Sequence, residues 1–199
     1  MNAGWIRVSC AGLCRIRDQA GRYLLALNHN RLTRGVQVYT PLGGGLEYHA
    51  PDLLARFGAE PEDPTGRELR LYLPPERFSG FRAWFLRRVE RETDPFRELR
   101  EELVEELGAL PRLERADVAF ARAHALDAER VTDRAGAQGQ ITRYLLEIFD
   151  VRFKSPAVRA ALASPPADGA LRWFTPAELD AGRAADGAAV EASALLETS

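Results

Sequence analysis

One short segment of the sequence, residues 96–108, carries five glutamates at helical spacing. On a wheel of about 100° per residue the carboxylates share one side of the predicted helix, and large apolar residues occupy an adjacent stripe. Like charges three and four residues apart destabilise a helix, whereas hard divalent cations bind several oxygen ligands at such spacings. The segment therefore predicts a magnesium site, with a solvated acidic face as the alternative. The glutamates are Glu98, Glu101, Glu102, Glu105 and Glu106.

Short-range signals predict where this helix begins and ends. Asp94 is a good N-cap residue, Pro95 suits the first helical position, and Glu98 lies near the first turn, where its charge meets the helix dipole. Gly108 is a typical residue at a helix C-terminus. Earlier in the chain, the three successive glycines of Gly43–Gly45 mark a place where the backbone bends or approaches another group closely.

These two segments resemble the two halves of the Nudix box. The segment Gly-Gly-Gly-Leu-Glu at residues 43–47 is similar to the first half of the box. Near the end of the chain, Arg172–Leu179 is similar to the strand-to-helix step that closes many Nudix domains. The strings YTPLGGGLE and RELREELVEELG, separated by an insertion at about residues 49–93, resemble the bacterial SMODS-associated Nudix domains. The second half of the box matches at Glu102, Leu103, Glu105, Glu106 and Gly108.

The resemblance implies a hydrolase that cleaves the diphosphate linkage of a nucleoside diphosphate derivative by attack of water on phosphorus. Its implied cofactor is Mg²⁺, with Mn²⁺ as an alternative, because such ions neutralise the diphosphate and polarise the attacking water. The ligands implied by the match are Glu102, Glu105 and Glu106, with Glu98 as an extra ligand and the backbone at Gly44 as another.

The resemblance also suggests which residues act on water and substrate. Glu105 is the first candidate for the general base, followed by Glu129 or Asp133, because many relatives place a catalytic carboxylate on the equivalent loop. Arginine binds phosphate bidentately, which makes the loop before the third strand a candidate for substrate binding, with solvated loop charge as the alternative. The candidate substrate-binding residues are Arg31, Arg34 and Glu47.

Two departures from the box motivate a second hypothesis from another functional class. Ala50 stands where the glutamate of the first half is expected, and Glu101 stands where the arginine of the second half is expected. A chain with these changes is also compatible with a catalytically weak or inactive sensor that binds a nucleotide without consuming it. A structural or protein-binding scaffold is the third hypothesis.

Apolar periodicity predicts an α+β fold, in which a mixed β-sheet is covered by helices on both sides. The resemblance implies a Nudix-like α/β/α sandwich in a single domain over residues 1–199, with a helical insertion at about 49–93 between the glycine loop and the catalytic helix. Strands are predicted at residues 5–16 and 23–27, which form a hairpin, and at 36–40, 68–73, 116–126, 141–153 and 171–174. Further helices are predicted at residues 51–57, 75–91, 175–179 and 188–196, and residues 127–140 are predicted to form a polar loop.

Composition limits the classes of partner. The 199 residues carry a formal net charge of −2, so no global charge excess attracts nucleic acid, and no uninterrupted apolar stretch is long enough for a bilayer span. The two cysteines, Cys10 and Cys14, are predicted to be buried free thiols. We expect a cytoplasmic protein that binds a nucleotide-type small molecule. The resemblance is also compatible with a homodimer. The subfamily resemblance alone suggests a bacterial nucleotide-signalling or antiphage system.

Overall fold

The computed structural model describes residues 4–132, 134 and 136–197. These residues form two compact units. The first unit comprises the N-terminal stretch up to Gly12, the segment Gly44–Pro95 and the segment Ala125–Glu147. The second unit comprises Leu13–Gly43, Phe96–His124 and the stretch from Ile148 onward.

The strands form two sheets. The larger sheet has the order β5-β6-β1-β8-β7, with β4 pairing with β1, and the smaller sheet has the order β10-β3-β2-β9. In the smaller sheet β10 is parallel to β3, while β2 is antiparallel to both β3 and β9. The strands are β1 (Ile6–Ile16), β2 (Tyr23–Leu27), β3 (Val38–Pro41), β4 (Gly43–Gly45), β5 (Glu60–Pro61), β6 (Arg70–Leu73), β7 (Val118–Val131), β8 (Ile141–Phe153), β9 (Leu171–Phe174) and β10 (Ala189–Val190).

Six α-helices accompany the sheets. They are α1 (His29–Leu32), α2 (Leu53–Phe57), α3 (Phe78–Arg87), α4 (Phe96–Arg100), α5 (Pro156–Ala163) and α6 (Pro176–Ala181) within the described residues. Short 3₁₀ turns lie at Pro75–Arg77, Arg115–Asp117 and Ser193–Leu195. The mixed sheets and helices confirm the predicted α+β class and a Nudix-like α/β fold. Among the described residues, no helix has both the length and the apolar character that crossing a bilayer requires.

The first unit has its own hydrophobic core, built around α3. Phe81, Trp84 and Phe85 are fully buried there, and the ring of Phe57 on α2 lies 5.5 Å from that of Phe81 in an edge-on arrangement. The helical spacing of these aromatic residues is therefore explained by core packing, as their periodicity predicts. Cys10 is a buried free thiol in the same core.

A buried ion pair joins the segment that follows α3 to β8. Arg91 and Glu147 both have fully buried side chains, and their charged groups lie 3.2 Å apart. The Arg91 guanidinium also lies over the Phe85 ring, 3.9 Å from its centroid, and donates to the Phe85 carbonyl. Burial lowers the pKa of Arg91, and Glu147 opposes that shift. Glu147 also lies 3.2 Å from the Arg88 guanidinium. Because the buried Arg91 charge is compensated by the Glu147 carboxylate, this pair connects the inserted segment to the sheet.

In the second unit, apolar residues hold the acidic helix against the core. Leu99 and Leu103 are fully buried and pack in one cluster with Leu24, Leu42 and Phe149. Burial of each such leucine side chain stabilises the folded state by roughly 1.5–3 kcal/mol. The core thus fixes the apolar stripe of the helix and leaves the carboxylates of its other side available.

Several sequence predictions of individual elements need correction. The predicted hairpin of the first two strands is much shorter than expected: β2 lies in the smaller sheet, and the antiparallel bridge between Arg17 and Tyr23 pairs the start of β2 with the residue after β1. The C-terminal helix at residues 188–196 is wrong, because Ala189–Val190 pairs with β3 and the chain then forms a 3₁₀ turn. Strand pairing at the sheet edge outweighs the helix propensity of alanine in that stretch.

Other elements match or shift by a few residues. Strands β2, β8 and β9 have the predicted bounds, and Thr175 and Glu178 form the capping box at the start of α6. Strand β7 continues to Val131, so the region predicted as a loop from residue 127 begins as strand. Helix α3 ends at Arg87 because Arg88 adopts a left-handed conformation with φ of 58°.

Candidate metal and catalytic site

The acidic helix changes its winding where the glutamates lie. Helix α4 continues directly into a π-helical turn over Glu101–Glu106, in which the Leu107 amide donates to the Glu102 carbonyl five residues earlier, at 2.9 Å. Residues five apart therefore share a face, as the 2.8 Å ion pair between Arg100 and Glu105 illustrates. Short π segments occur frequently at functional sites. The glutamates are thus arranged differently from the uniform α-helical wheel that the sequence predicts.

The ends of this helix follow the predicted signals closely. Helix α4 begins at Phe96, one residue after the predicted Pro95, and the helical segment ends before Gly108. Gly108 has φ of 56°, in the left-handed region that glycine adopts without strain. These termini confine the acidic face to about two turns.

Glu102 is tied directly to the glycine loop. Its Oε2 atom accepts a hydrogen bond from the Gly43 backbone N–H at 2.6 Å. Gly43 has φ of 102°, where a side chain would strain the backbone. A glycine at this position therefore lets the backbone amide meet the carboxylate.

The surroundings of Glu102 disfavour its charged form. Burial is the main cause that raises the pKa of Glu102 to about 8, and the charges of Glu98, Glu106 and Glu101 act in the same direction against the lowering effect of the Gly43 N–H. A carboxyl group shifted by burial and by like charges is characteristic of functional sites, where a cation relieves the repulsion. Glu102 is thus the most perturbed carboxylate of the acidic helix.

The other glutamates are partly compensated by arginines of the same helix. Arg97 lies 2.6 Å from Glu98 and 3.5 Å from Glu101. Glu105 pairs with Arg100 and remains about half exposed, with 53% of its side chain accessible. Glu106 is exposed. These oxygen donors have the chemistry that Mg²⁺ prefers. In the described part of the chain, however, no three His, Cys, Asp or Glu residues are already grouped closely enough to hold a metal ion.

Of the candidate substrate residues of the second unit, Arg31 lies within the short helix α1 and not in the predicted loop. The Arg31 guanidinium forms an ion pair with Glu191, and its backbone amide donates to the Asn28 side chain at 3.1 Å. Arg34 follows the helix and is exposed. The role of both arginines in substrate binding stays a prediction.

The remaining predicted residues belong to the first unit. Gly44 lies in β4, and the Glu47 backbone N–H donates to the Glu92 carboxylate at 2.8 Å. Glu129 lies on β7, not in the predicted loop, and its exposed carboxylate is 3.5 Å from Arg143. Asp133 lies outside the described residues.

The structure also locates the two departures from the expected motif. Ala50 is 3% exposed within the apolar core of the first unit, where a glutamate would be expensive to bury. Glu101 lies at the start of the π turn and interacts with Arg97. The sequence marks all three glycines of Gly43–Gly45 as a place of close approach and singles out Gly44 as a ligand, whereas the structure shows that Gly43 contacts the acidic helix. Gly43 is the first of three successive glycines, and this position in the sequence does not by itself distinguish it from Gly44.

One of the comparisons with known proteins agrees with the motif. A family model described as the SMODS-associated NUDIX domain matches residues 5–197. No curated protein gives a significant match. A solved structure, the solution structure of the E. coli ORF135 protein, is similar at 13% identity with a TM-score of 0.33, covering 87% of this chain and 77% of that one.

Proposed function

The chain belongs to the SMODS-associated NUDIX domain family, and from this membership we propose that it hydrolyses the diphosphate linkage of a nucleoside diphosphate derivative with the help of a divalent cation. The family supports a hydrolase-type or nucleotide-related role, and Nudix proteins generally use divalent metals such as Mg²⁺. The single observation that carries the proposal is the 2.6 Å hydrogen bond between Gly43 and the perturbed carboxylate of Glu102.

The proposed ligands are Glu102, Glu105 and Glu106, with Glu98 and the backbone of Gly44 as further donors. A divalent cation bound there would neutralise the diphosphate and polarise the attacking water. Glu102 has a raised pKa without a cation, so ligation requires that it release its proton. The Gly43 N–H holds one of its oxygens and thereby orients the carboxylate. Arg97 and Arg100 compensate the neighbouring glutamates until a cation replaces them.

Glu105 is the general base in this proposal. Its carboxylate is accessible to water and paired only at the helix surface, so it can accept a proton. The water oxygen forms a new bond to phosphorus, the bond from phosphorus to the bridging oxygen breaks, and Glu105 takes the proton of the water. Glu129 is the alternative base from the sequence. Its contact with Arg143 and its place on β7 make it the second choice.

The test is turnover with Mg²⁺ and, separately, with EDTA. The substrate panel contains nucleoside triphosphates, dinucleoside polyphosphates, NAD, ADP-ribose, nucleotide sugars and cyclic oligonucleotides. Metal-dependent product that disappears in Glu105→Gln and Glu102→Gln supports the hydrolase. Glu76→Gln is the matched control, because Glu76 is an exposed carboxylate in the 3₁₀ turn of the other unit. Product formation that persists at full rate in both helix variants would contradict the proposal.

A catalytically weak or inactive nucleotide sensor is the second candidate. The burial of Ala50 in an apolar core favours it, because no carboxylate is available at the position where the motif carries its first glutamate. Under this alternative a nucleotide raises the melting temperature but is not consumed. Measuring product and melting temperature on the same samples separates the two candidates.

The cellular setting is proposed from the family alone. We place the protein in the bacterial cytoplasm, in a nucleotide-signalling or antiphage system, with a small-molecule nucleotide and no nucleic acid as its ligand. A homodimer is the proposed assembly. Sedimentation at several protein concentrations tests the dimer, and phage challenge of cells with and without the Glu102→Gln variant tests the defence role.

A further inference from the structure

A pocket of about 640 Å³ on the first unit is rich in aromatic side chains. Its volume falls in the range of small-molecule sites in proteins. We call it the aromatic pocket and define it by Trp5, Tyr72, Phe78, Gln140, Ile141 and Arg143, which line it. None of these residues belongs to the acidic helix or to the glycine loop, and the pocket includes only Glu129, the second choice for the general base, of the residues assigned to the proposed hydrolytic chemistry.

The walls of the aromatic pocket present flat and apolar surfaces. The Arg143 guanidinium lies 4.6 Å from the centroid of the Phe78 ring, so the two form a cation–π pair. Trp5 is partly exposed, and Ile141 keeps 60% of its surface accessible although it is a large apolar residue. Rings and guanidinium groups of this kind favour planar ligands, which gain free energy by stacking. The chain leaves this apolar surface open to a ligand.

The charges around the aromatic pocket are already balanced by the protein. Arg7 donates to Glu62 at 2.8 Å and to Thr142 at 3.1 Å, and Arg143 donates to Asp127 at 2.9 Å. Cations compensated in this way attract a phosphate weakly. The pocket is therefore better suited to an uncharged ring than to the charged part of a nucleotide.

Polar groups at the rim of the aromatic pocket can form hydrogen bonds with the edge of such a ring. Glu129, with 56% of its side chain exposed, lines the pocket, and so does Gln140. A carboxylate accepts hydrogen bonds from ring N–H and amino groups, and an amide both donates and accepts. Stacking surfaces combined with edge contacts are the usual means by which proteins bind unpaired bases.

We propose that the aromatic pocket is a nucleobase-binding site, with the base stacked beside Phe78 and Trp5. The choice of a base among planar rings rests on the proposed function, which makes a nucleotide the ligand class. Such a site adds recognition of the uncharged part of a nucleotide to the phosphate chemistry of the acidic helix.

The experiment is calorimetric titration of the full chain, in EDTA, with adenosine, guanosine, cytidine and uridine. We expect saturable binding of at least one nucleoside. Phe78→Leu keeps an apolar side chain but removes the ring, and it should weaken binding at least about fivefold, as loss of base stacking does. Phe78→Tyr keeps the ring and should retain binding. Trp5→Leu, at a partly exposed position, is a second variant expected to weaken it.

Phe120→Leu is the control for loss of a partly buried ring elsewhere, because Phe120 belongs to the second unit and does not line the aromatic pocket. Saturation by none of the four nucleosides, or affinity unchanged in both Phe78→Leu and Trp5→Leu, would overturn the proposal. Competition by a single-stranded oligonucleotide or by a nucleoside monophosphate then tells whether the base belongs to a polymer or to a free nucleotide.

Repeating the titration with Glu102→Gln separates this inference from the proposed function. Intact nucleoside binding in Glu102→Gln supports the pocket independently of hydrolysis, whereas nucleoside binding by a wild-type protein that turns over nothing in the panel supports the pocket and argues against the enzyme. Hydrolysis that occurs without any nucleoside binding supports the enzyme and overturns the pocket.

Discussion

The Gly43 backbone N–H donates to the Glu102 carboxylate at 2.6 Å, which joins two segments that lie far apart in the sequence. Gly43 is the first residue of β4 and of the glycine loop, and Glu102 lies at the second position of the π turn. This contact gives a carboxylate of raised pKa a fixed orientation. Four predictions follow from this site and from the buried ion pair of the other unit.

Glu102→Gln should stabilise the metal-free protein near neutral pH. In the folded protein the pKa of Glu102 is about 8, against an ordinary value of 4.5, so the folded state binds this proton more tightly than the unfolded chain does. The resulting stabilisation is fully present below pH 4.5 and is lost as the pH rises toward 8. Glutamine keeps an oxygen for the Gly43 N–H and carries no charge. We expect a gain on the order of a few kcal/mol at pH 8 in EDTA, which fades toward pH 4.5.

Urea unfolding of both proteins at several pH values measures this difference. Added Mg²⁺ should then stabilise the wild-type protein more than the variant, because a cation that binds only the folded state shifts the equilibrium toward it. A stability difference that does not change with pH would exclude Glu102 as the titrating group.

Gly43→Ala should weaken both the fold and the site. At φ of 102° a Cβ atom strains the backbone, so we expect a loss of about 1–2 kcal/mol together with reduced metal-dependent turnover. Gly80→Ala is the matched control. Gly80 lies in α3, and an added Cβ would lie 3.7 Å from the Phe57 ring, an ordinary contact distance, so alanine should be neutral or stabilising there. Thermal unfolding of the two variants tests the contrast.

Glu105→Gln should reduce kcat by about 10²–10⁴-fold while leaving the fold intact, because a general base is lost from an exposed position. Arg100→Ala removes the partner of Glu105 and should retain measurable turnover. Single-turnover kinetics on the substrate found in the panel, with circular dichroism for the fold, provide the measurement. Equal loss in the two variants would instead indicate that the ion pair has a structural role.

Glu147→Ala should be the most destabilising of these substitutions. It leaves the fully buried Arg91 guanidinium without its carboxylate, which typically costs about 3–5 kcal/mol. Arg112→Ala breaks an exposed pair with Glu114, whose side chains are 80% and 63% accessible, and should cost less than about 1 kcal/mol. Chemical denaturation that gives similar midpoints for both variants would show that the buried pair is not needed for stability.

Local signals in the sequence were enough to predict much of the fold. Strands β2 and β9 have the predicted bounds because their apolar runs are short and end at clear turn or cap residues. The capping box of Thr175 and Glu178 joins residues three positions apart, and the stop at Gly108 depends on one backbone angle. The second half of the Nudix box also depends on spacing within one helix. Each of these features is determined by interactions between residues that are close in the chain.

The tertiary structure decided how distant segments meet. Gly43, not its neighbour, contacts Glu102, and the π turn rearranges the glutamates in a way that a regular wheel does not anticipate. The alanine-rich end forms β10 because Val38–Tyr39 offers a strand edge to pair with. The sequence by itself determined which residues could bind a cation and which could begin or end a helix. Packing decided which carboxylate is buried and which backbone amide it meets, because burial and hydrogen-bond partners depend on residues far away in the chain.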